Sequence, residues 1–427
     1  MTAFALHLRR SLLRFVAPAL AAAGGALVWS AAYPQVATQA NIANGVGSTI
    51  AVLAPVLAGF AAWDALRERR HGGGPILDVA ARPASRDLLA RLGVAECAAA
   101  FVFAVVVAVA YVRASGLGLS GTPLWANLLV PLLVLGLAAA IGILAAGILR
   151  HWSAVIIAAL PPAAVYAGAL LLRGTGLAQS LNPFGNRAGG DFLDPNPPFF
   201  LGQVLFLAGL LVLVVGLVLL GSRQDRWWGA VVAVCALVVA VSGAWTVDAQ
   251  HQRWGISVTD AEPRLVEASA NDGGLVLAFL PEYRPVQHDL LARWTRAQDL
   301  LSGTPAAFVR LEQLTDSHPE QTGEPGPLRA LYLNPASLTV ATDSVLESLI
   351  DLHTPSCAQS RTFETALVEL WIAGPGAEQR AQLMPEHADA LTRLRELDDQ
   401  AARDWLAERF DRFVSCQIDL GDFPPAS

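Results

Sequence analysis

Lysine is missing altogether: all 29 basic side chains among the 427 residues are arginine. The phosphate-binding loop of ATPases, Gly-x-x-x-x-Gly-Lys-Ser/Thr, neutralises the β and γ phosphates with backbone amides and a lysine ammonium together. A chain without lysine is therefore not expected to hydrolyse ATP by that route, and lysine Schiff-base chemistry is excluded with it. His-Glu-x-x-His, Cys-x-x-Cys and Gly-x-Ser-x-Gly are also absent, which removes the helical zinc-protease, dithiol-redox and hydrolase-elbow readings. No catalytic residue, metal, cofactor or nucleic-acid partner is expected. Charge is scarce as well, at 15% of residues against 54% hydrophobic, whereas an ordinary soluble chain carries about a quarter charged residues.

What is plentiful is apolar sequence, and it is unevenly placed. Residues 1–247 hold 15 arginines against 8 carboxylates, a net of +7, and residues 248–427 hold 14 against 28, a net of −14. The first part is filled with apolar runs and the second reads as amphipathic globular sequence, so a boundary near Asp248 separates a transmembrane domain, 1–247, from a soluble domain, 248–427. A helix needs roughly 20 apolar residues to cross a bilayer. Seven stretches qualify: 12–32, 47–66, 92–112, 124–149, 152–172, 199–220 and 227–247.

Arginine placement sets the orientation, because positive residues in short loops stay on the cytoplasmic side. With the N-terminus inside, cytoplasmic segments collect Arg9, Arg10, Arg14, Arg67, Arg69, Arg70, Arg82, Arg86, Arg91, Arg150, Arg223 and Arg226, and external loops keep Arg113, Arg173 and Arg187. Trp29, Trp63, Trp125, Trp152, Trp227, Trp228 and Trp245 fall near span ends, where indole buries its ring and hydrates its N–H. Seven spans then put the acidic domain outside a plasma membrane. If the first span is instead a cleaved signal peptide, six spans remain in the same orientation.

Within 248–427 the pattern is α+β. Strand-like runs cover 257–266, 274–280 and 328–333, and helical periodicity covers 286–301, 338–353, 362–372, 387–397 and 400–416. In the last helix Ala402, Trp405, Leu406, Phe410, Phe413 and Val414 share one face, leaving Arg403, Glu408 and Asp411 for solvent.

In an oxidising extracytoplasmic space, Cys357 and Cys416 are candidates for a disulfide, which would contribute about 3 to 4 kcal/mol by restricting the unfolded chain. Two buried free thiols are the alternative. Cys97 and Cys235, inside apolar runs, read as small packing residues. Glu96 lies about one turn inside the third span. Intramembrane carboxylates are costly and often functional, but Glu96 can also snorkel or pair with Arg91. Pro55, Pro131 and Pro161-Pro162 interrupt spans and permit kinks. Gly116-Leu117-Gly118-Leu119-Ser120-Gly121 has the spelling of a dinucleotide fingerprint, yet it joins two spans where that motif needs a strand and a helix N-terminus; it reads as a turn. Glu347, Asp351 and His353 cluster at a helix end, where His353 complements the helix dipole more simply than it binds metal. His318, near Glu320, reads as a polar-loop residue.

The segment Trp63-Asp64-Ala65-Leu66-Arg67-Glu68-Arg69-Arg70, a glycine-rich stretch, and then Ala81-Arg82-Pro83-Ala84-Ser85-Arg86-Asp87-Leu88-Leu89-Ala90-Arg91 resembles the cytoplasmic loop after the second span in permease subunits of ABC exporters. The layout is similar to permease-like proteins of high-GC Gram-positive bacteria, departing from the usual six spans by a seventh that leads to an outer domain. The resemblance implies a non-ATPase membrane subunit, paired as a homo- or heterodimer, that contacts a separate ATP-binding subunit through Arg67, Arg69, Arg70, Arg86, Leu88, Leu89 and Arg91. Leu88 and Leu89 amid Arg and Asp make a reasonable docking surface. The rival reading is a membrane-anchored sensor or scaffold whose outer domain binds a ligand or envelope partner. An enzyme is the third, and it lacks an identifiable catalytic constellation.

Overall fold

The computed structural model describes residues 3–31, 36–68, 84–116, 125–171, 181–183, 193–220, 225–250, 255–257, 265–270, 274–313, 327–334, 337, 339–354, 357, 361–377 and 383–425. Chain contacts divide the molecule into two compact units. One comprises Met1–Ala32 with Thr38–Ile256, the other Tyr33–Ala37 with Ser257–Ser427. Val36 accordingly packs in the core of the second unit.

The first unit is a helical bundle: α1 (Ala3–Arg10), α2 (Leu13–Ala31), α3 (Gln39–Glu68), α4 (Ala84–Ser115), α5 (Trp125–Leu149), α6 (Ser153–Leu171), α7 (Pro197–Leu220) and α8 (Arg226–Gln250). Six of these, α2, α3, α4, α5, α7 and α8, are long and apolar enough to cross a membrane. The sequence pattern proposed seven. The remaining stretch, 152–172, is α6, whose apolar run Ser153–Gly168 is shorter than the others. Pro18, Pro55, Pro131, Pro161 and Pro162 all lie inside continuous helices. The dinucleotide-like run lies outside the described residues beyond Gly116.

Apolar side chains surround these helices, so each offers little distinction between a core face and an outer face. Contact is made instead where small residues let backbones meet. A Cβ placed on Gly142 of α5 would overlap the Ala58 carbonyl of α3, and one on Gly209 of α7 would meet the α8 backbone at Ala236 and Ala240. The outward faces carry Val234, Leu237, Val238 and Val241 of α8 and Ile156, Ile157 and Leu160 of α6. The seven tryptophans expected at span ends are all at least half exposed there. Cys97 and Cys235 also face outward, rather than packing between helices, because α4 and α8 are apolar on their outer sides too.

A short pair, β1 (Leu193–Pro195) with β2 (Gly255–Ser257), precedes the second unit's sheet. That sheet runs in the order β3 (Val266–Ser269), β4 (Val276–Phe279), β5 (Arg310–Gln313), β6 (Ala330–Leu331), antiparallel at the first pairing and parallel at the next two. Of the strand expected over 257–266, Ser257 ends β2 and Val266 begins β3, and residues 258–264 lie outside the described residues. The strand β5 escapes the apolar-run criterion because it alternates exposed Arg310 and Glu312 with buried Leu311 and Gln313.

Parallel strands need a crossover, and α9 (Gln287–Leu301) supplies it between β4 and β5. Its Trp294 is fully buried, edge-on to Phe308, with the indole N–H donating to Ser344. The rest of the layer is α10 (Val340–Leu349), α11 (Phe363–Ala373), α12 (Pro385–Arg395) and α13 (Asp399–Val414). The side chain of Asp398 caps α13 by accepting from the Gln400 and Ala401 amides. The six apolar residues expected on one face of α13 are all buried. Arg293 closes α11 from outside by donating to the Ala373 and Pro375 carbonyls.

Gly142→Ala is expected to lower the thermal stability of the detergent-solubilised chain by about 1–3 kcal/mol, since the added methyl meets backbone. Gly147→Ala, five residues on with open space around it, should be neutral or slightly stabilising. Equal melting temperatures for the two variants would refute the close α3–α5 approach.

Candidate functional site

Two groups of polar residues stand out, one in each unit. In the bundle they collect at the arginine-rich end. Asp64, near the end of α3, accepts from the Leu12 amide at 2.6 Å and from the Ser11 hydroxyl at 2.7 Å, and Ser11 Oγ in turn accepts from the Leu13 amide. A carboxylate on α3 thus satisfies the open amides at the N-terminus of α2, where the helix dipole favours negative charge. Asp87, in the first turn of α4, lies 2.7 Å from His7 Nε2 on α1 and accepts from Arg91 Nε at 2.9 Å. Arg91 Nη1 donates to the Ala65 carbonyl of α3 at 3.1 Å. Phe4 of α1 lies over Gly93 of α4.

These bonds tie α1, α2, α3 and α4 together at the two roots of the arginine-rich connection. Arg67 ends α3 half-buried; Arg69 and Arg70 lie outside the described residues, as does the side chain of Arg86. Arg91 is buried inside the network. Leu88 and Leu89 are half-buried, and Leu89 packs against Leu92, Ala140 and Val214. Leu88, Leu89 and Arg91 thus lie where the connection meets the bundle, and the apolar side of α4 continues through them. Glu96 is two turns further in, its Oε2 against Gly136 of α5 and its buried Oε1 without a hydrogen-bond partner. Arg91 bonds Asp87 and the Ala65 carbonyl.

In the second unit, Glu369 of α11 is fully buried and joins a histidine and an arginine. Its Oε1 is 2.7 Å from His353 Nε2, and Oε2 forms an ion pair with Arg361. His353 follows a 3-10 turn, Ile350–Leu352, at the end of α10. It does not cap the helix from solvent, as its position suggested, but is turned inward with its side chain 1% exposed, edge-on to Phe413 at 5.0 Å. Burial first and the Arg361 charge second push its pKa down to about 4, against a weaker opposing effect of the Val414 and Phe413 carbonyls. The ring is thus neutral, Nε2–H donates to the carboxylate, and Nδ1 is left with its lone pair and no hydrogen-bond partner. Glu347 and Asp351 instead face Tyr332, whose phenol is pushed up by burial and then by Asp351 and Glu347.

Cys357 and Cys416 sit beside this ring at disulfide distance, with Cα atoms 5.2 Å apart. Cys416 comes just after α13 rather than at its end, with φ of 55°. That left-handed conformation is one side chains seldom adopt; it turns the sulfur back toward Cys357, whose amide donates to Thr354 while Thr354 donates to Val414. His318 and Glu320 lie outside the described residues. An open depression of about 510 Å³ at β5 is lined by Asp299, Phe308, Arg310 and Arg329, and Arg310 there is already paired with Glu267.

The neutral, buried His353 makes stability depend on pH. Its folded pKa lies below the ordinary 6.5, so the unfolded chain takes up a proton first as pH falls. The protection of amides in 340–416 against hydrogen exchange is expected to be full above pH 6.5 and to decline as pH drops toward 4. His353→Gln should flatten that part of the profile; an unchanged slope would mean that His353 is not the titrating group. Compared with family models, with curated proteins and with solved structures, the chain matches none.

Proposed function

We propose that this chain is a multi-pass, non-ATPase membrane subunit of an ABC-type export system, working with a separate ATP-binding subunit and paired with a second membrane subunit. The observation that carries the reading is the network at the arginine-rich end, where Asp64, Asp87 and Arg91 bind α1, α2, α3 and α4 together at both roots of the 69–83 connection. Force applied to that connection would enter four helices at once, which is what coupling to an external motor requires. The absence of lysine leaves the motor to another chain. In this reading α6 is a seventh, shorter span, the arginine-rich end faces the cytoplasm by the positive-inside bias, and the C-terminal unit lies outside.

A second reading draws on the C-terminal unit, which has its own core and the buried Glu369 cluster: a membrane-anchored sensor or scaffold whose spans carry nothing.

Purification from the host in mild detergent is expected to bring down an ATPase bearing a phosphate-binding loop. Replacing residues 69–83 by a Gly/Ser linker should lose it, with the helical circular dichroism unchanged. Asp87→Asn should retain the ATPase but lower ATP-driven export at least tenfold, or about 1.4 kcal/mol of coupling. Copurification of envelope or signalling proteins with no ATPase would replace the transporter with the sensor reading.

A further inference from the structure

The surroundings of His353 hold more than a disulfide needs. One ring nitrogen of His353 and the sulfurs of Cys357 and Cys416 lie within 4.8 Å of one another, all three residues buried. Nε2 is engaged by Glu369, and Nδ1 has no hydrogen-bond partner of its own, which leaves Nδ1 as the nitrogen a ligand could use. A buried acceptor left open costs roughly 1–3 kcal/mol. The carboxylate behind the ring selects the tautomer and makes the other nitrogen more basic, as outer-shell carboxylates do for metal-binding histidines. Arg361 in turn holds Glu369.

We propose that His353, Cys357 and Cys416 form a site for a thiophilic d10 cation, Zn²⁺ or Cu⁺, which is filled when the disulfide is reduced. Two thiolates and one imidazole suit such ions. Tetrahedral bonds of about 2.0–2.3 Å place ligand atoms about 3.5–3.8 Å apart, a spacing that the present cluster reaches once the sulfurs part through rotation of the two cysteine side chains. The fourth position is left for solvent or a small ligand.

Reduction is by an external dithiol. Its thiolate attacks Cys416 Sγ, on the residue that is 9% exposed against 1% for Cys357, and Cys357 leaves as a thiolate. The second thiol of the reductant then attacks the mixed disulfide and releases Cys416, leaving the reductant as its own disulfide. Two electrons pass to the cysteine pair, and the two protons of the dithiol go to solvent as the cation takes both thiolates. The site is thus closed by oxidation and opened by reduction, and it is independent of whether the bundle transports anything.

The test uses the full chain in detergent micelles, reduced without oxygen by a phosphine that is then removed, with Co²⁺ as a spectroscopic probe. One Co²⁺ per chain is expected to bind, with a thiolate-to-cobalt charge-transfer band and the intense visible bands of tetrahedral cobalt, both displaced by Zn²⁺ and both absent in the oxidised chain. Glu369→Gln should weaken binding about 10–100-fold while leaving the charge-transfer band, and the paired Cys357→Ser and Cys416→Ser variant should abolish the band. Reduced thiols that stay free with Co²⁺ present would overturn the proposal, as would a tetrahedral spectrum unchanged in His353→Phe. Unfolding on reduction that Zn²⁺ does not reverse would also overturn it, leaving the pair as a covalent staple only.

Discussion

Helices that are apolar on every side gain little by turning one face rather than another toward a neighbour, so the bundle depends on how closely backbones can approach. Gly142 against the Ala58 carbonyl and Gly209 against Ala236 and Ala240 set those distances. Dispersion between atoms at contact is individually weak and collectively large, and it is lost once a side chain holds two helices apart. The packing of α3 on α5 and α7 on α8 follows, and with it the positions of every polar group between them. Gly136 is the same device used for another end, since its missing side chain makes room for the Glu96 carboxylate.

Polar bonds then decide where the bundle is stiff. They concentrate where α1, α2, α3 and α4 meet, and two carboxylates carry most of them: Asp64 at the start of α2, Asp87 between His7 and Arg91. Away from water such pairs are strong when their partners are complete. The rest of the bundle interior is mostly apolar, with Glu96, Asn41, Thr49 and Gln203 among its polar side chains, so this end is the natural place for an external force to enter.

The C-terminal unit relies on ordinary hydrophobic burial around Trp294, Trp371, Phe410 and Phe413. Against that background the fully buried Glu369 carboxylate is costly, because a buried charge rarely recovers its desolvation by attraction alone. Glu369 on α11, His353 after α10 and Cys416 after α13 come from three separate stretches, brought together by the α10, α11 and α13 packing. An arrangement that costs stability and sets a buried histidine within 4.8 Å of two sulfurs is the part of this unit that packing does not explain.

Apolar runs and a charge imbalance between the two parts are local properties, so the long helices, the tryptophans near their ends, the helices α9 and α11 and the buried face of α13 were legible in order along the chain. The α+β character of the C-terminal unit was legible for the same reason, and Cys357 with Cys416 could be paired from their placement in the polar part. Strand β5 was not, since a half-exposed strand of four residues leaves too short an alternation to read. The roles of Asp64, Asp87 and Arg91 were not legible either: their partners lie 26 to 80 positions away, apart from the Asp87–Arg91 pair. His353 looked like a helix-end residue because its distance from Glu369 is 16 positions and from Cys416 more, and no local pattern encodes such a meeting. Hydrophobicity and helix periodicity act between near neighbours and are written in order; which buried donors meet which acceptors depends on how the helices cross, and only the folded chain decides that.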